Sequence, residues 1–455
     1  MFQNYIKLAF RNLRKHKTFS FINIFGLAIS MSICLLIMLN IKDAHSYDSF
    51  HPEGSERTFR ILTDALRKDG GSESYASSPF PVSRALAEDY SQVELWTPLV
   101  NRLSTAVRMN GKELYLQGFF TDSTFFKMFG FELLAGDPAA ALAEPHSLVL
   151  TEDWALRLFN QKDHFEALLG KTIELPGYGR EFKITGILAK APGKTHLQFD
   201  ALGSLATQFA LEKMVSDSVE VAQVTSEWRD YYSTYNFVRL KPGAKAKAAE
   251  AALADIAKNK LAGLELESRD KGYRYTLQAL GDITPGRMLS QGMGNGVPSM
   301  VLWFMSGLGL IIMLCACFNY TNLTIARSLV RTKEVGVRKV LGARRSQVFW
   351  QFIGEAVVVS VLALLVAYNI LLLTKPLNFL DAAEKMQAAD WKIYGLFLLF
   401  AVAVGFVAGA LPAATLSKTS PLQVLQKLQN VKLIQRVGLR KVLIGFQFTV
   451  TLVFL

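Results

Sequence analysis

The sequence predicts a membrane protein, an α-helical transmembrane bundle of four complete spans plus the start of a fifth, joined to a large α+β extracytoplasmic domain. Three observations point there. Of the 455 residues, 51% are apolar. They gather into runs long enough to cross about 30 Å of hydrocarbon. The positive charge is concentrated in three short segments at the ends of those runs.

Residues 1–17 carry five Lys or Arg and no acid. Ile6, Phe10 and Leu13 share one helical face, with Lys7, Arg11, Arg14 and Lys15 around the other. That pattern predicts a cytoplasmic amphipathic helix lying in the interface. Residues 18–41 form a charge-free run and the first span. With no A-x-A-like site after it, the run reads as an uncleaved anchor.

Residues 42–298 make the extracytoplasmic domain. The runs in 104–120 flank Asn110-Gly111, a hairpin signal. Residues 171–188 read as a second hairpin across PGYG, Ser147–Leu150 as a strand feeding the helix TEDWALRLF, 234–240 as a strand before an Ala/Lys-rich helix at 244–262, and 273–280 as a last strand. An α+β domain in two lobes is expected. All three cysteines (Cys34, Cys315, Cys317) fall in apolar runs, so this domain has to fold without disulfides.

The second span is expected at 299–326, a cytoplasmic loop at 327–348, the third span at 349–374, an extracytoplasmic loop at 375–392 and the fourth span at 393–416. A cytoplasmic linker at 417–441 and the start of a fifth span at 442–455 complete the chain. The three basic segments (1–17, 327–345, 418–441) hold 18 Lys or Arg against Glu334 alone, a net of +17 in a chain of +12. All three fall on one side when four spans are drawn. The positive-inside rule makes that side the cytoplasm. The basic balance therefore belongs to the membrane surface, and nucleic-acid binding is a poor reading of it. The approach to the final run (GLRKVLIGFQFTV) echoes the approach to the first (NLRKHKTFSFINI), which hints at a duplicated protein.

Enzymatic chemistry finds little support. Gly170-Lys171-Thr172 and Gly193-Lys194-Thr195 resemble the tail of a phosphate-binding loop. The glycine required five positions earlier is Phe165 in one case and Leu188 in the other. No G-x-S-x-G elbow and no His-x-x-x-His pair occurs, so neither a catalytic residue nor a metal ligand is assigned. His45, Asp48, His51 and Glu53 crowd the exit from the first span; a solvated juxtamembrane turn is expected there. Inside the spans, Gly405 and Gly409, followed by Pro412 and Ala413, present a small-residue face for close helix packing, within one subunit or at a dimer seam. Glu355 is an intramembrane acid, costly in lipid. It is expected to reach back to the cytoplasmic interface or to Arg344–Arg345. The spans are otherwise so poor in polar residues that a solute path through them is not supported.

The stretch RTKEVGVRKVLGARRSQVFWQFIGEA, 331–356, resembles the signature of the MacB/FtsX-like permeases of ABC transporters. So does GALPAATLSKTSPLQVLQ, 409–426. FFTDSTFFKMFGFELLAGDP, 119–138, is similar to the family's periplasmic core, and YIKLAFRNLRKHKTFSFINIFGLAIS to its usual start. The resemblance covers essentially the whole chain. Long members carry two such units in tandem, and this chain resembles the first unit plus the beginning of the second.

The resemblance implies a non-catalytic permease subunit of the bacterial inner membrane. A separate cytoplasmic ATPase, holding the ATP and Mg, would drive it, and this chain would bind no cofactor. Its 327–348 loop would be the coupling helix, with Lys333, Glu334, Val335, Gly336, Val337, Arg338, Lys339, Leu341, Gly342, Ala343 and Arg344 as coupling residues. Val335, Val337 and Leu341 would form the apolar contact face, and the charged residues would set register. ATP-driven motion would pass to the outer domain (mechanotransmission) in efflux or lipoprotein release. A homodimer or a pseudo-dimer with a second permease unit is implied, with a possible extracytoplasmic adaptor or cargo. The rival reading is a membrane-anchored extracytoplasmic binding or sensor protein without an ATPase.

Overall fold

The structure is a computed structural model that describes residues 11–109, 112–215, 223–373, 390–418, 444–449 and 452. Asn110-Gly111 of the expected hairpin, residues 1–10 of the expected amphipathic helix, the 375–392 loop apart from its last three residues, and nearly all of the 417–441 linker lie outside the described residues. In chain order the elements are α1 (Lys17–Ala44), β1 (Thr58–Arg67), β2 (Ser72–Tyr75), α2 (Phe80–Asp89), β3 (Val93–Met109), β4 (Lys112–Thr121), α3 (Thr124–Phe129), β5 (Leu133–Ala135), β6 (Ser147–Thr151) and α4 (Glu152–Phe159). There follow β7 (Thr172–Leu175), β8 (Arg180–Leu188), β9 (Ala201–Ser204), α5 (Leu205–Val215), β10 (Thr234–Leu240), α6 (Ala246–Lys260) and β11 (Asp270–Ala279). The last helices are α7 (Ser299–Ala326), α8 (Ser328–Val340), α9 (Arg345–Leu373) and α10 (Trp391–Ser417). Two compact units result, Ala44–Met300 and the remainder, Met1–Asp43 with Val301–Leu455.

The Ala44–Met300 unit is built on one mixed sheet of order β11-β1-β10-β3-β4-β9-β6-β8-β5, with β2 added to β1 and β7 to β8. The sequence-expected hairpins are there: β3 runs antiparallel to β4 with Met109 opposite Lys112, and β7 to β8 with Leu175 opposite Arg180. Two parallel pairings, β4 with β9 and β6 with β8, extend the sheet without a break. That continuity corrects the expectation of two lobes. Separate cores fill its surroundings instead. One gathers Ile61, Val238, Tyr275, Leu253 and Ile256 under α2 and α6. A second gathers Leu103, Phe120, Leu148, Trp154 and Ile184. A third is aromatic, with Phe125, Phe129, Phe131 and Phe237 packed mostly tilted or edge to face, the arrangement ring quadrupoles favour.

The sequence explains the local choices. In α6 the buried residues are Ala249, Ala252, Leu253 and Ile256, one stripe at helical spacing, while its lysines face outward. Helix α4 opens on Glu152 and Asp153, which favour the positive end of the helix dipole, and stops at Asn160 in the left-handed conformation.

In the other unit, α1, α7, α9 and α10 are long and apolar enough to cross a membrane. Each has 27 to 29 residues, about 40 Å at 1.5 Å per residue. Leu27, Met31, Leu35, Met313, Val359, Ala363, Ala401 and Val404 form their shared core. Without a hydrophobic drive between helices in lipid, close backbone approach and interhelical hydrogen bonds have to hold them. Both are present. Thr321 Oγ1 donates to the Ala408 carbonyl at 3.0 Å, Ser360 Oγ to Ala401 at 2.7 Å, and Cys34 Sγ to Gly309 at 3.4 Å. Gly405 and Gly409 lie against α9 of the same chain. A Cβ at 405 would stand 2.6 Å from Val357 Cα, and one at 409 would stand 2.6 Å from Ala356 Cβ. Pro412 is buried within α10. Of the expected start of a fifth span, 444–449 is helical. There Phe446 packs edge-on to Phe318 of α7, and Gln447 Nε2 donates to the Cys315 carbonyl at 3.0 Å.

Candidate coupling site

Helix α8 and the turn after it explain the sequence VLGARRSQ residue by residue. Gly342 is left-handed at φ 98°. Its N–H reaches the Lys339 carbonyl at 3.1 Å, and the Ala343 N–H reaches Arg338 at 3.0 Å. These are the paired bonds of a Schellman stop, which needs a residue without Cβ strain in the left-handed position. The chain restarts at once. The Gln347 side chain accepts from the Arg344 N–H at 2.9 Å, the reciprocal half of a capping box opening α9. The turn is thereby fixed at both ends.

Three further contacts secure α8 to the helices around it. Val335, only 4% exposed, packs with Val348, Phe352 and Ile353 of α9 and with Ala413 and Leu416 of α10. Lys339 Nζ donates to the Ser417 carbonyl at 2.7 Å, where the negative end of the α10 dipole favours a cation. Burial, and then Arg345, draw the Lys339 ammonium below its ordinary value. Arg338 bridges Glu334 at 2.7 Å and the Gln351 side-chain oxygen at 2.5 Å.

What remains on the outside is an apolar patch. Val337, Val340 and Leu341 are 62%, 63% and 81% exposed, with Glu334 and Arg344 exposed nearby in sequence. The expected contact face of Val335, Val337 and Leu341 is therefore corrected: Val335 and Gly336 point inward, and Val340 joins the patch. Residues two apart on a helix stand about 200° apart, so 335 and 337 cannot share a face, whereas 337, 340 and 341 do. The side chain of Lys333 lies outside the described residues.

Glu355 reaches back to Asn12, in the segment expected at the cytoplasmic interface. It is 6% exposed and accepts from Asn12 Nδ2 at 3.0 Å and from Gln351 Nε2 at 3.2 Å. Asn12, His16, Ser20, Asn23, Tyr320, Thr324 and Glu355 line a cavity of about 30 Å³. The spans are thus more polar at this level than the sequence suggests, and the space is enough to hold water.

A second polar cluster, in the Ala44–Met300 unit, overturns the expected solvated turn after the first span. His45 and Glu53 are exposed, but Asp48 and His51 are buried. The Asp48 carboxylate takes His196 Nδ1 at 2.6 Å, Thr195 Oγ1 at 2.6 Å and His51 Nε2 at 3.3 Å, while the Asp48 N–H reaches the Lys194 carbonyl at 2.8 Å. Burial works against the Asp48 anion. Its hydrogen bonds from His196 and His51 outweigh that and hold the carboxyl well below the usual carboxylate range. Complete burial pushes the His196 imidazole below its ordinary value, against the pull of Asp48 and with the charges of Arg60 and His51 adding to the shift. No sequence signal joins His196 to Asp48 across 148 positions.

Because folded His196 resists protonation and the unfolded chain does not, stability is present above the unfolded value near pH 6.5 and declines as the pH falls below it. Thermal unfolding of the full chain should lose midpoint temperature between about pH 7 and pH 5. His196→Asn, which keeps a donor toward Asp48 but cannot titrate, should flatten that dependence.

Four helices apolar enough to span a membrane, a short helix locked between two of them, and a large mixed-sheet domain after the first describe a membrane protein with a large domain outside the spans. Sequence comparison agrees. Residues 20–256 match the MacB-like periplasmic core domain and residues 306–421 the FtsX-like permease C-terminal domain. The chain belongs to the MacB/FtsX-like family of ABC transporter permeases. It is similar to YvrN of Bacillus subtilis (strain 168), described as an uncharacterized ABC transporter permease, at 24% identity over 93% of this chain and 99% of that one. It is also similar to the macrolide export ATP-binding/permease protein MacB of Bdellovibrio bacteriovorus, at 31% identity over 28% of this chain and 19% of that one. Among solved structures, a domain of a putative permease from Porphyromonas gingivalis matches 50% of this chain and 91% of its own length at 20% identity, with a TM-score of 0.41.

Proposed function

We propose that this permease couples ATP hydrolysis on a separate cytoplasmic ATPase to motion of its extracytoplasmic domain, in export or lipoprotein release. The observation that carries this reading is the patch of Val337, Val340 and Leu341. It is held outward on a helix whose opposite side is packed into α9 and α10. An exposed apolar patch on a rigid mount suits a docking groove on a partner. In this reading α8 and the N-terminus face the cytoplasm at the inner membrane, which the excess of Lys and Arg in the segments flanking the spans supports. ATP and Mg would sit on the partner, and this chain would bind no cofactor and catalyse nothing. The working assembly would be a homodimer, or a pseudo-dimer with a second permease unit, acting on an extracytoplasmic adaptor or cargo.

Val337→Asp combined with Leu341→Asp places two carboxylates in the docking surface without touching the buried side of α8. Affinity purification from membranes should then recover a P-loop ATPase with the natural chain and at least about tenfold less with the variant, since each buried carboxylate costs more than the 1.4 kcal/mol that tenfold represents. Equal recovery would remove the patch from the interface. No ATPase with either chain would favour the anchored-sensor reading.

A further inference from the structure

We infer that Gln351 is a positioning residue that ties the coupling helix to the helical segment before the first span, through a chain of side chains running Arg338, Gln351, Glu355 and Asn12. The inference rests on the coupling role proposed for α8 and adds the route by which displacement of that helix reaches the N-terminal segment.

The links are all short. Arg338 Nη1 donates to Gln351 Oε1 at 2.5 Å, Gln351 Nε2 donates to Glu355 Oε1 at 3.2 Å, and Asn12 Nδ2 donates to the same Glu355 oxygen at 3.0 Å. The far arm of Arg338 is held by Glu334 on α8 itself. Chemistry fixes the direction of the chain. A guanidinium can only donate, so it must meet the amide oxygen. That leaves the amide NH₂ for a carboxylate that can only accept. Flipping the Gln351 amide would break both contacts at once. Gln351 and Glu355 are buried, where an amide or carboxylate that loses its partner has no water to replace it. Displacing α8 relative to α9 therefore strands the Gln351 amide oxygen, and an amide that turns to find another donor withdraws its NH₂ from the Glu355 oxygen that Asn12 also uses.

Val335 and Lys339 fasten α8 to α9 and α10 by packing and by one terminal carbonyl. Among the described contacts, the Arg338 chain carries the link onward to residues 11–15. Arg327 over the Phe19 ring, 4.1 Å from its centre, ties the start of the same loop to α1, so two contacts from this loop converge on the region where the N-terminal segment meets the first span.

The test uses the full chain in its complex with the co-purified ATPase, comparing hydrogen exchange at residues 11–20 with and without ATP and Mg. Gln351→Leu removes both links while filling the same volume. Removing one member of a buried polar chain costs stability whatever its role, so the readout that separates positioning from mere structure is the ATP-dependent change in a variant that still recovers the ATPase. The expected result is that the natural chain changes exchange at 11–20 on adding ATP, and Gln351→Leu recovers the ATPase in full but loses that change. Glu355→Gln, whose amide oxygen accepts the same two bonds, should keep the change, and Glu355→Leu should lose it. A full ATP-dependent change in Gln351→Leu would overturn the inference. So would failure of Gln351→Leu to recover the ATPase, because Gln351 would then shape docking. Failure of the natural chain to recover any ATPase sinks the coupling role itself, and the inference with it.

Discussion

Asp48→Ala is expected to destabilise the extracytoplasmic domain by about 3–5 kcal/mol, the usual cost of removing one partner from a buried charged cluster. The deletion strands three donors together: His196 Nδ1, Thr195 Oγ1 and His51 Nε2. Of these, both imidazoles are buried, so water cannot take the place of the carboxylate. A second penalty is in the backbone. Asp48 has φ 57°, a left-handed conformation that aspartate and asparagine tolerate and alanine does not. Asp48→Asn keeps that conformation and the size of the side chain, and should fall between the natural chain and alanine. Thermal unfolding of the purified full chain in detergent measures this. A drop on the order of 10 °C for alanine is the scale such a loss implies for a domain of this size. An unchanged midpoint would mean the cluster contributes nothing net to stability.

The second large effect is expected at Gly405. A Cβ there would meet Val357 Cα at 2.6 Å and Val357 N at 3.0 Å, and both are backbone atoms that no rotamer change can clear. Gly405→Ala must separate α9 from α10, and it weakens the Ser360 to Ala401 bond a turn away. Overpacking of this kind costs about 1–3 kcal/mol, and Gly405→Leu should cost more. At Gly409 the nearest atom is a side-chain methyl, Ala356 Cβ at 2.6 Å, so alanine there should be the milder change. The fraction of folded protein surviving heating in detergent ranks the three variants. A tolerated Gly405→Leu would refute the packing seen between these helices.

Much of this arrangement was legible before any coordinates. A charge-free run of apolar residues has few alternatives to a span, and Gly342-Ala343 after a basic helix stops it for reasons local to the turn. The alternating runs on either side of Asn110-Gly111 announced the β3–β4 hairpin, whose pairing is short-range in sequence. Long-range features were not legible. The parallel pairings of β4 with β9 and β6 with β8 join strands whose partners no local pattern names, which is why one continuous sheet was read as two lobes. Asp48 carried a signal only in its neighbour His51; the decisive partner, His196, comes from the other side of the domain's sequence. Val335 was a different kind of miss, since helical periodicity alone places it opposite Val337. Glu355 was read from its depth in the span, but its direction depends on Asn12, more than 300 positions away.

The central claim is that ATP turnover at the cytoplasmic face is transmitted to the extracytoplasmic domain. Hydrogen exchange on the natural chain in complex with its co-purified ATPase, with and without ATP and Mg, tests it most directly at residues 44–58 and 283–298, the segments that enter and leave that domain. The account predicts that nucleotide alters protection in both segments, and that scrambling 333–345 at constant charge abolishes the change. Steady ATP hydrolysis by the complex with no change in either segment would contradict it.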